Sequence, residues 1–246
     1  AYNAHTGKAQ WEVGGGPGEA ALPLAETFFL GPPLPLEGRL YCIAEQDRHV
    51  RLLVLNPDTG QLLWAQSLFA LSSDRQTLVL DIWRRMAGLS PAYSQGLIVC
   101  PTGLGGVIAF DIENRQLQWH FTYRNDSAAA RRNSRFSVTT RAQRIMPGQE
   151  EQRWLNTTPL IAGGRVLVAP QDTREFYCLD VLTGKLLWRK QQLDRLQIVG
   201  VHDDRVVVLG KDEIEAFDIE TGHRVFEQPV PIPRPSGRAV LAGSKV

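Results

Sequence analysis

The chain has 246 residues, of which 43% are hydrophobic, and its formal net charge is +1. This length and composition allow a large buried core, whereas the near-neutral charge excludes a global attraction to nucleic acid or to an acidic surface. No uninterrupted apolar run approaches the roughly 18 residues of a membrane-spanning helix, so we expect no membrane span in this chain.

One short phrase recurs five times along the chain and defines a repeat. Each copy carries Asn or Asp and, eight positions later, an aromatic residue. The pairs are Asn3 and Trp11, Asn56 and Trp64, Asp111 and Trp119, Asp180 and Trp188, and Asp218 and Phe226. Four copies place Thr-Gly between the two. Because Asn and Asp accept backbone hydrogen bonds and Gly adopts a positive φ without steric cost, the phrase predicts a turn between two strands.

The third copy departs from this pattern, because Arg115 stands where the other copies have Gly. A left-handed Arg would cost roughly 1 kcal/mol. We therefore expect either a tolerated strain or a shifted turn at this position.

A second turn signal lies upstream of each of the last four aromatic residues. The pairs are Glu37-Gly38, Gln95-Gly96, Gly163-Gly164 and Asp203-Asp204, and they precede the runs RLYC, LIVC, RVLV and RVVV. Such consecutive apolar positions suit strands that are covered on both faces. Stacked sheets of four strands are the blades of a β-propeller. We predict an all-β fold of four-stranded antiparallel blades.

The repeat divides the chain into four complete blades and two half blades in a single domain, 1–246. The complete blades are expected at about 27–68, 89–122, 156–190 and 196–228, and the half blades at 1–13 and 237–246. The chain then resembles part of a larger propeller. The alternative is that the half blades pair into a composite fifth blade and close a small ring. We favour the interpretation that the chain is part of a larger propeller.

Three insertions interrupt the repeat, at about 12–26, 65–88 and 122–156. Each joins the fourth strand of one blade to the first strand of the next, so all three are expected on the face that carries the second-to-third turns. Decorated faces of repeat proteins are often binding faces. In the middle insertion, Leu78, Ile82 and Met86 predict a helix over about 76–87. We expect its apolar stripe to cover the disc, with partner binding as the alternative.

The third insertion is rich in arginine. Between Arg124 and Arg153 it carries seven Arg and no Lys, against Asp126, Glu150 and Glu151. The central group could engage an acidic partner or an anionic polymer, because the Arg fork grips carboxylate or phosphate. This group is Arg131, Arg132, Arg135, Arg141 and Arg144. A solvated, mobile loop is the alternative, and specific nucleic-acid recognition is not expected.

The recurring A-x-D-x-x-T-G-x-x-x-W phrase resembles the repeat of pyrroloquinoline-quinone-type (quinoprotein-like) β-propellers. That family includes quinoprotein dehydrogenases, BamB-like proteins and bacterial repeat proteins of planctomycete type. The stretches LSPAYSQGLIVCPTG and TPLIAGGRVLVAP are most similar to the last group. The resemblance implies a propeller of about eight blades, an aromatic residue of each repeat docked against the neighbouring blade, and a periplasmic, envelope or secreted location.

The dehydrogenase branch of this family implies an adjacent Cys-Cys pair beside the quinone, and none is present. Cys42, Cys100 and Cys178 are far apart, and we expect three free, buried thiols. The five His lack zinc-site spacing, and the TGLGGVIAF stretch predicts a hairpin turn, not a phosphate loop. We therefore expect no cofactor and no catalytic or metal-binding residues. These features favour a non-catalytic scaffold or interaction module of a larger bacterial envelope or secreted protein. Its partners would be envelope proteins or fused domains. The alternative is part of a quinone-dependent dehydrogenase whose site lies mostly outside this chain.

Overall fold

The computed structural model describes residues 1–15, 22–71, 88–123 and 157–243. Within these ranges every regular element is a β-strand, and the strands form four antiparallel sheets. The predicted all-β fold is confirmed. The predicted helix at 76–87 lies outside the described residues, as does nearly all of the arginine-rich insertion.

Blade 1 has a first strand that is divided into two short strands. Its strands are β1 (Phe28–Phe29), β2 (Leu34–Leu36), β3 (Arg39–Gln46), β4 (His49–Leu55) and β5 (Leu62–Ala70). Both β1 and β2 pair with β3, so the first strand is split in two. Gly31 lies at the split, where a Cβ would come within 2.3 Å of the Leu89 carbonyl oxygen. The chain entering blade 2 passes directly against this interruption, where the Leu89 amide donates to the Leu30 carbonyl at 2.8 Å.

Blades 2 and 3 are regular up-and-down sheets. Blade 2 contains β6 (Ala92–Ser94), β7 (Leu97–Pro101), β8 (Gly106–Asp111) and β9 (Gln116–Thr122). Blade 3 contains β10 (Leu160–Ala162), β11 (Arg165–Val168), β12 (Glu175–Asp180) and β13 (Leu186–Gln191). In each, strands adjacent in sequence are adjacent in the sheet. The turn between β7 and β8 is the predicted hairpin, in which the Thr102 hydroxyl donates to the Gly106 carbonyl at 2.8 Å.

Blade 4 ends differently from the other three. It contains β14 (Arg195–His202), β15 (Arg205–Gly210), β16 (Glu213–Asp218) and β17 (Val230–Pro231). In the other blades the fourth strand includes the repeat tryptophan, but β17 follows Phe226 and pairs with residues 213–214 at the far end of β16. Near Phe226 the pairing is reduced to a single bridge between Phe217 and Arg224. Phe226 therefore lies in an irregular stretch.

Consecutive blades pack face to face. In the first such layer, Ile43 and Val54 of blade 1 share a buried cluster with Ile98 and Phe110 of blade 2. Equivalent clusters join blade 2 to blade 3 and blade 3 to blade 4. The inner strands are thus covered on both faces, as their apolar runs predict, and each fully buried aliphatic side chain stabilises the fold by about 1.5–3 kcal/mol.

Backbone hydrogen bonds locate the points where the long connections leave the blades. The Leu71 amide donates to the Arg48 carbonyl at 2.8 Å, and the Tyr123 amide donates to the Gly105 carbonyl at 3.0 Å. Arg48 and Gly105 belong to the second-to-third turns of blades 1 and 2. We call the side formed by these turns the insertion face. The described ends of the second and third insertions therefore start on one face.

Candidate functional site

The repeated turns are held together by their acidic or amide side chain. Asp180 accepts hydrogen bonds from the Leu182 amide at 3.2 Å, the Thr183 amide at 2.9 Å and the Thr183 hydroxyl at 2.8 Å. The hydroxyl bond is the main reason why the pKa of Asp180 lies below its usual value. The pKa values of Asp111 and Asp218 are lowered as well, mainly by bonds from Asn114 and Thr221. These carboxylates serve as structural acceptors.

In three of the five turns the glycine also lies directly against a tryptophan ring of the preceding repeat. A Cβ on Gly184 would lie 2.5 Å from the Trp119 ring, and a Cβ on Gly222 would lie 2.7 Å from the Trp188 ring. The indole Nε1 of Trp119 donates to the Val181 carbonyl at 2.9 Å, within the same turn. Sequence reasoning explained these glycines by their positive φ alone, whereas the packing leaves no room for a side chain either.

The same arrangement recurs at two further contacts. The Trp188 Nε1 donates to the Ile219 carbonyl at 2.8 Å, and the Trp11 Nε1 donates to the Pro57 carbonyl at 2.9 Å. A Cβ on Gly60 would lie 2.5 Å from the Trp11 ring. Each contact thus combines a close approach of an indole to a glycine with one hydrogen bond to the carbonyl of the residue that follows the turn Asn or Asp.

The first seam, between blades 1 and 2, departs from this arrangement. Arg115 occupies the glycine position with φ 54°, so the strained left-handed conformation is present and the turn is not shifted. Its guanidinium carbon lies 5.2 Å from the centroid of the Trp64 ring. The Trp64 Nε1 is buried, and the described part of the chain offers it no hydrogen-bond acceptor. An unsatisfied buried donor costs about 1–3 kcal/mol, and the indoles of Trp119 and Trp188 avoid that cost through their hydrogen bonds.

A cavity of about 530 Å³ lies at the first seam, between β5 of blade 1 and β8 and β9 of blade 2. We call it the first-seam cleft. Its apolar lining includes Leu68, Phe69, Leu104 and Phe121, and Arg115 stands at one end. This size is within the 300–1,000 Å³ range of ligand-binding pockets.

The predicted docking residues differ in burial. Trp119 and Trp188 are 6% and 8% exposed, Trp11 and Trp64 are half-buried, and Phe226 is 37% exposed. The predicted anion-binding arginines, Arg131, Arg132, Arg135, Arg141 and Arg144, lie outside the described residues.

All three cysteines are buried and unbridged. Burial raises the pKa of Cys42 to about 11 and that of Cys178 to about 12, and it raises the pKa of Cys100 further. Such thiols are poor nucleophiles at neutral pH. Among the described residues there is no group of three or more His, Cys, Asp or Glu that could hold a metal ion.

Sequence reasoning missed one buried charged group in blade 4. Glu215 is 2% exposed and accepts two hydrogen bonds from Arg195, at 2.5 Å from Nε and 2.9 Å from Nη2. Arg224 donates to the same carboxylate. A charged residue in an apolar strand pattern was the available signal. The two arginines lie 20 and 9 positions from Glu215 in the sequence.

The repeated seams and turns define a quinoprotein-like β-propeller repeat protein. Residues 1–153 and 140–245 match the model of the family described as outer membrane protein assembly factor BamB. The chain belongs to this family.

Several solved structures are similar to the chain. BamB from Moraxella catarrhalis is 17% identical with a TM-score of 0.47, and the match covers 80% of this chain and 49% of that one. A quinohemoprotein alcohol dehydrogenase from Pseudomonas putida is 14% identical with a TM-score of 0.47, covering 81% and 35%. Sqt1 from Saccharomyces cerevisiae is 12% identical with a TM-score of 0.46, covering 78% and 44%. The chain thus matches about half the length of the solved BamB chain.

No curated protein shows significant similarity to this chain. In the part of the chain that the structure describes, no helix has the length and apolarity needed to cross a membrane.

Proposed function

We propose that this chain is a non-catalytic β-propeller scaffold, or protein-interaction module, of a larger bacterial envelope or secreted protein. The observation that carries the proposal is the insertion face, where the described ends of two long connections leave beside the second-to-third turns. Loops collected on one side of a rigid repeat scaffold form a binding surface without demanding any change in the core. Membership in the BamB family supports the same role and a periplasmic or envelope location.

The chemistry of the described side chains supports binding rather than catalysis. The turn carboxylates are occupied by turn hydrogen bonds, and Glu215 is neutralised by two arginines. The thiols are buried with raised pKa values. These groups stabilise the fold and are not positioned to move protons on a substrate.

The partners of this scaffold are envelope proteins or fused domains of the same polypeptide. The arginine-rich insertion supplies a cationic surface for an acidic partner, through Arg131, Arg132, Arg135, Arg141 and Arg144. Binding through exposed charges weakens as salt screens them.

The test replaces those five arginines by Ser and compares the partners captured from envelope fractions at low and moderate salt. The matched control replaces Arg39 and Arg205 by Ser, because both are exposed at first-to-second turns, opposite the insertion face. We expect loss of salt-sensitive partners in the first variant only. An unchanged set of partners in both variants would refute the charged insertion as a binding surface.

A second assay separates the scaffold from a dehydrogenase. The intact protein is supplied with pyrroloquinoline quinone and calcium, and dye reduction is followed with alcohols and sugars. We expect no substrate-dependent reduction. Reduction that depends on both quinone and substrate would overturn the non-catalytic assignment.

A further inference from the structure

We propose that the first-seam cleft binds an extended peptide segment of a partner protein by strand addition, with a carboxylate of that segment paired to Arg115. The inference deepens the proposed interaction role and rests on it. It concerns a site between blades 1 and 2 and does not use the five arginines of the third insertion.

The cleft contacts blade 1 along a single strand. It touches four consecutive residues of β5, Gln66 to Phe69. β5 is the last strand of blade 1 in the described chain, and the outer edge of this strand adjoins the residues that line the cleft. Within the described residues β5 pairs only with β4, which leaves this edge without a neighbouring strand.

The opposite wall has the same character. The cleft touches three consecutive residues of β9, His120 to Thr122, and in the described chain β9 pairs only with β8. Two strand edges therefore flank one cleft. Edges with free backbone N–H and C=O groups are the usual template for binding an extended peptide.

The lining defines the side chains that such a peptide needs. A β-bulge lies at Leu68, because Val50 pairs with Phe69 while the next residue, Arg51, pairs with Ser67. Leu68 and Phe69 are half-buried, so apolar surface remains uncovered in the cleft. An alternating peptide would bury apolar side chains there and keep its polar side chains in solvent.

The charge of the lining defines one end of the peptide. The described residues that line the cleft include no Asp or Glu, and Arg115 is exposed at one end. The other end of the cleft lies at the Thr102–Gly106 turn. Strand β8 connects the two ends, and at about 3.3 Å per residue it spans about 13 Å from residue 106 to residue 110. A segment of about five residues with a terminal carboxylate fits this length and charge.

The cleft lies at a seam whose turn has Arg115 in place of glycine. At the second and third seams the indole lies directly on a glycine, and Trp119 and Trp188 are almost fully buried. At the first seam the Arg115 guanidinium carbon lies 5.2 Å from the centroid of the Trp64 ring, and Arg115 is the one arginine among the described residues that line the cleft. The residue that replaces glycine at this seam thus supplies the charge of the lining.

The experiment measures fluorescence anisotropy with the probe fluorescein–Thr-Val-Thr-Val-Thr-Asp. Two control probes carry either N-methyl groups on alternate amides or a C-terminal Asn amide in place of Asp. The protein variants are Arg115→Gln, which removes the charge, and Arg205→Gln, a matched exposed arginine in blade 4. Hydrogen exchange of the 66–69 segment is measured with and without the saturating probe.

We expect saturable binding of the first probe, weakened at least about tenfold by Arg115→Gln or by the Asn amide, and unchanged by Arg205→Gln. The N-methylated probe should not bind, and exchange in residues 66–69 should slow only with the first probe. Absence of saturable binding, equal binding of the methylated probe, or no effect of Arg115→Gln would each overturn strand addition at this cleft. Capture of envelope partners through the insertion face would survive those outcomes, so the two proposals fail separately.

Discussion

Replacement of Gly184 by Ala tests whether the indole–glycine contact stabilises the propeller. Gly184 has φ 68°, and the added Cβ would lie 2.5 Å from two atoms of the Trp119 ring, which is only 6% exposed. Overpacking of a buried site costs about 1–3 kcal/mol, and a left-handed Ala adds about 1 kcal/mol. Displacement of the ring would also break the Nε1 bond to Val181, worth about 1 kcal/mol. The expected loss is about 3–5 kcal/mol.

The chain contains a matched control for the backbone strain. Gly7 holds the same place in the first repeat with φ 67°, and no atom lies within 4 Å of its added Cβ. Gly7→Ala should therefore cost only about 1 kcal/mol.

Both variants are measured by urea unfolding, followed by circular dichroism and by tryptophan emission. Because native domains are stable by about 5–15 kcal/mol, the difference between the two variants is large enough to resolve. A Gly184→Ala cost within about 1 kcal/mol of the Gly7→Ala cost would show that the contact with Trp119 contributes little.

Trp188→Ala should destabilise the protein by about 3–5 kcal/mol, because Trp188 is only 8% exposed. Phe226→Ala should cost about 1 kcal/mol, because Phe226 is 37% exposed. Equal unfolding free energies for the two variants would contradict this difference. Glu215→Ala should cost about 3–5 kcal/mol by leaving Arg195 buried without its counter-charge, and a loss below about 1 kcal/mol in urea unfolding would argue against a structural ion pair. The pKa values of Asp111, Asp180 and Asp218 are lowered in the folded protein, so these carboxylates contribute stability that is present above about pH 4 and lost as pH falls through the folded-state pKa. The urea midpoint should therefore drop toward pH 2, and simultaneous Asp→Asn changes at the three turns should reduce that drop. Identical pH profiles of the two proteins would refute this expectation. A thiol reagent should label no cysteine in the native protein at pH 7 and three in denaturant, and fewer than three in denaturant would reveal a disulfide.

The repeat pattern was sufficient to predict the all-β class and the four-stranded antiparallel blades, but not the division of the first strand of blade 1 into β1 and β2. Turn chemistry and consecutive apolar positions are local signals, and each recurs at fixed spacing, so the five copies support one another. The same pattern did not predict that the fourth strand of blade 4 would follow Phe226, at Val230–Pro231. A strand beyond the repeat depends on which backbone groups of β16 remain available, and no local pattern encodes that.

The sequence alone determined the all-β class, the repeat and the turn carboxylates, because those depend on φ preferences and on hydrogen bonds between residues two or three positions apart. Only the tertiary structure decided which glycines lie against an indole ring and which seam contains a cleft. Gly184 and Trp119 are 65 positions apart in the chain, yet a single methyl group on one would collide with the other. Arg115 looked like a strained turn residue in the sequence, whereas the fold places it against Trp64 of the preceding blade and in the lining of the first-seam cleft. Such consequences arise when distant segments pack, since close contact depends on the distances between blades and not on the order of residues along the chain.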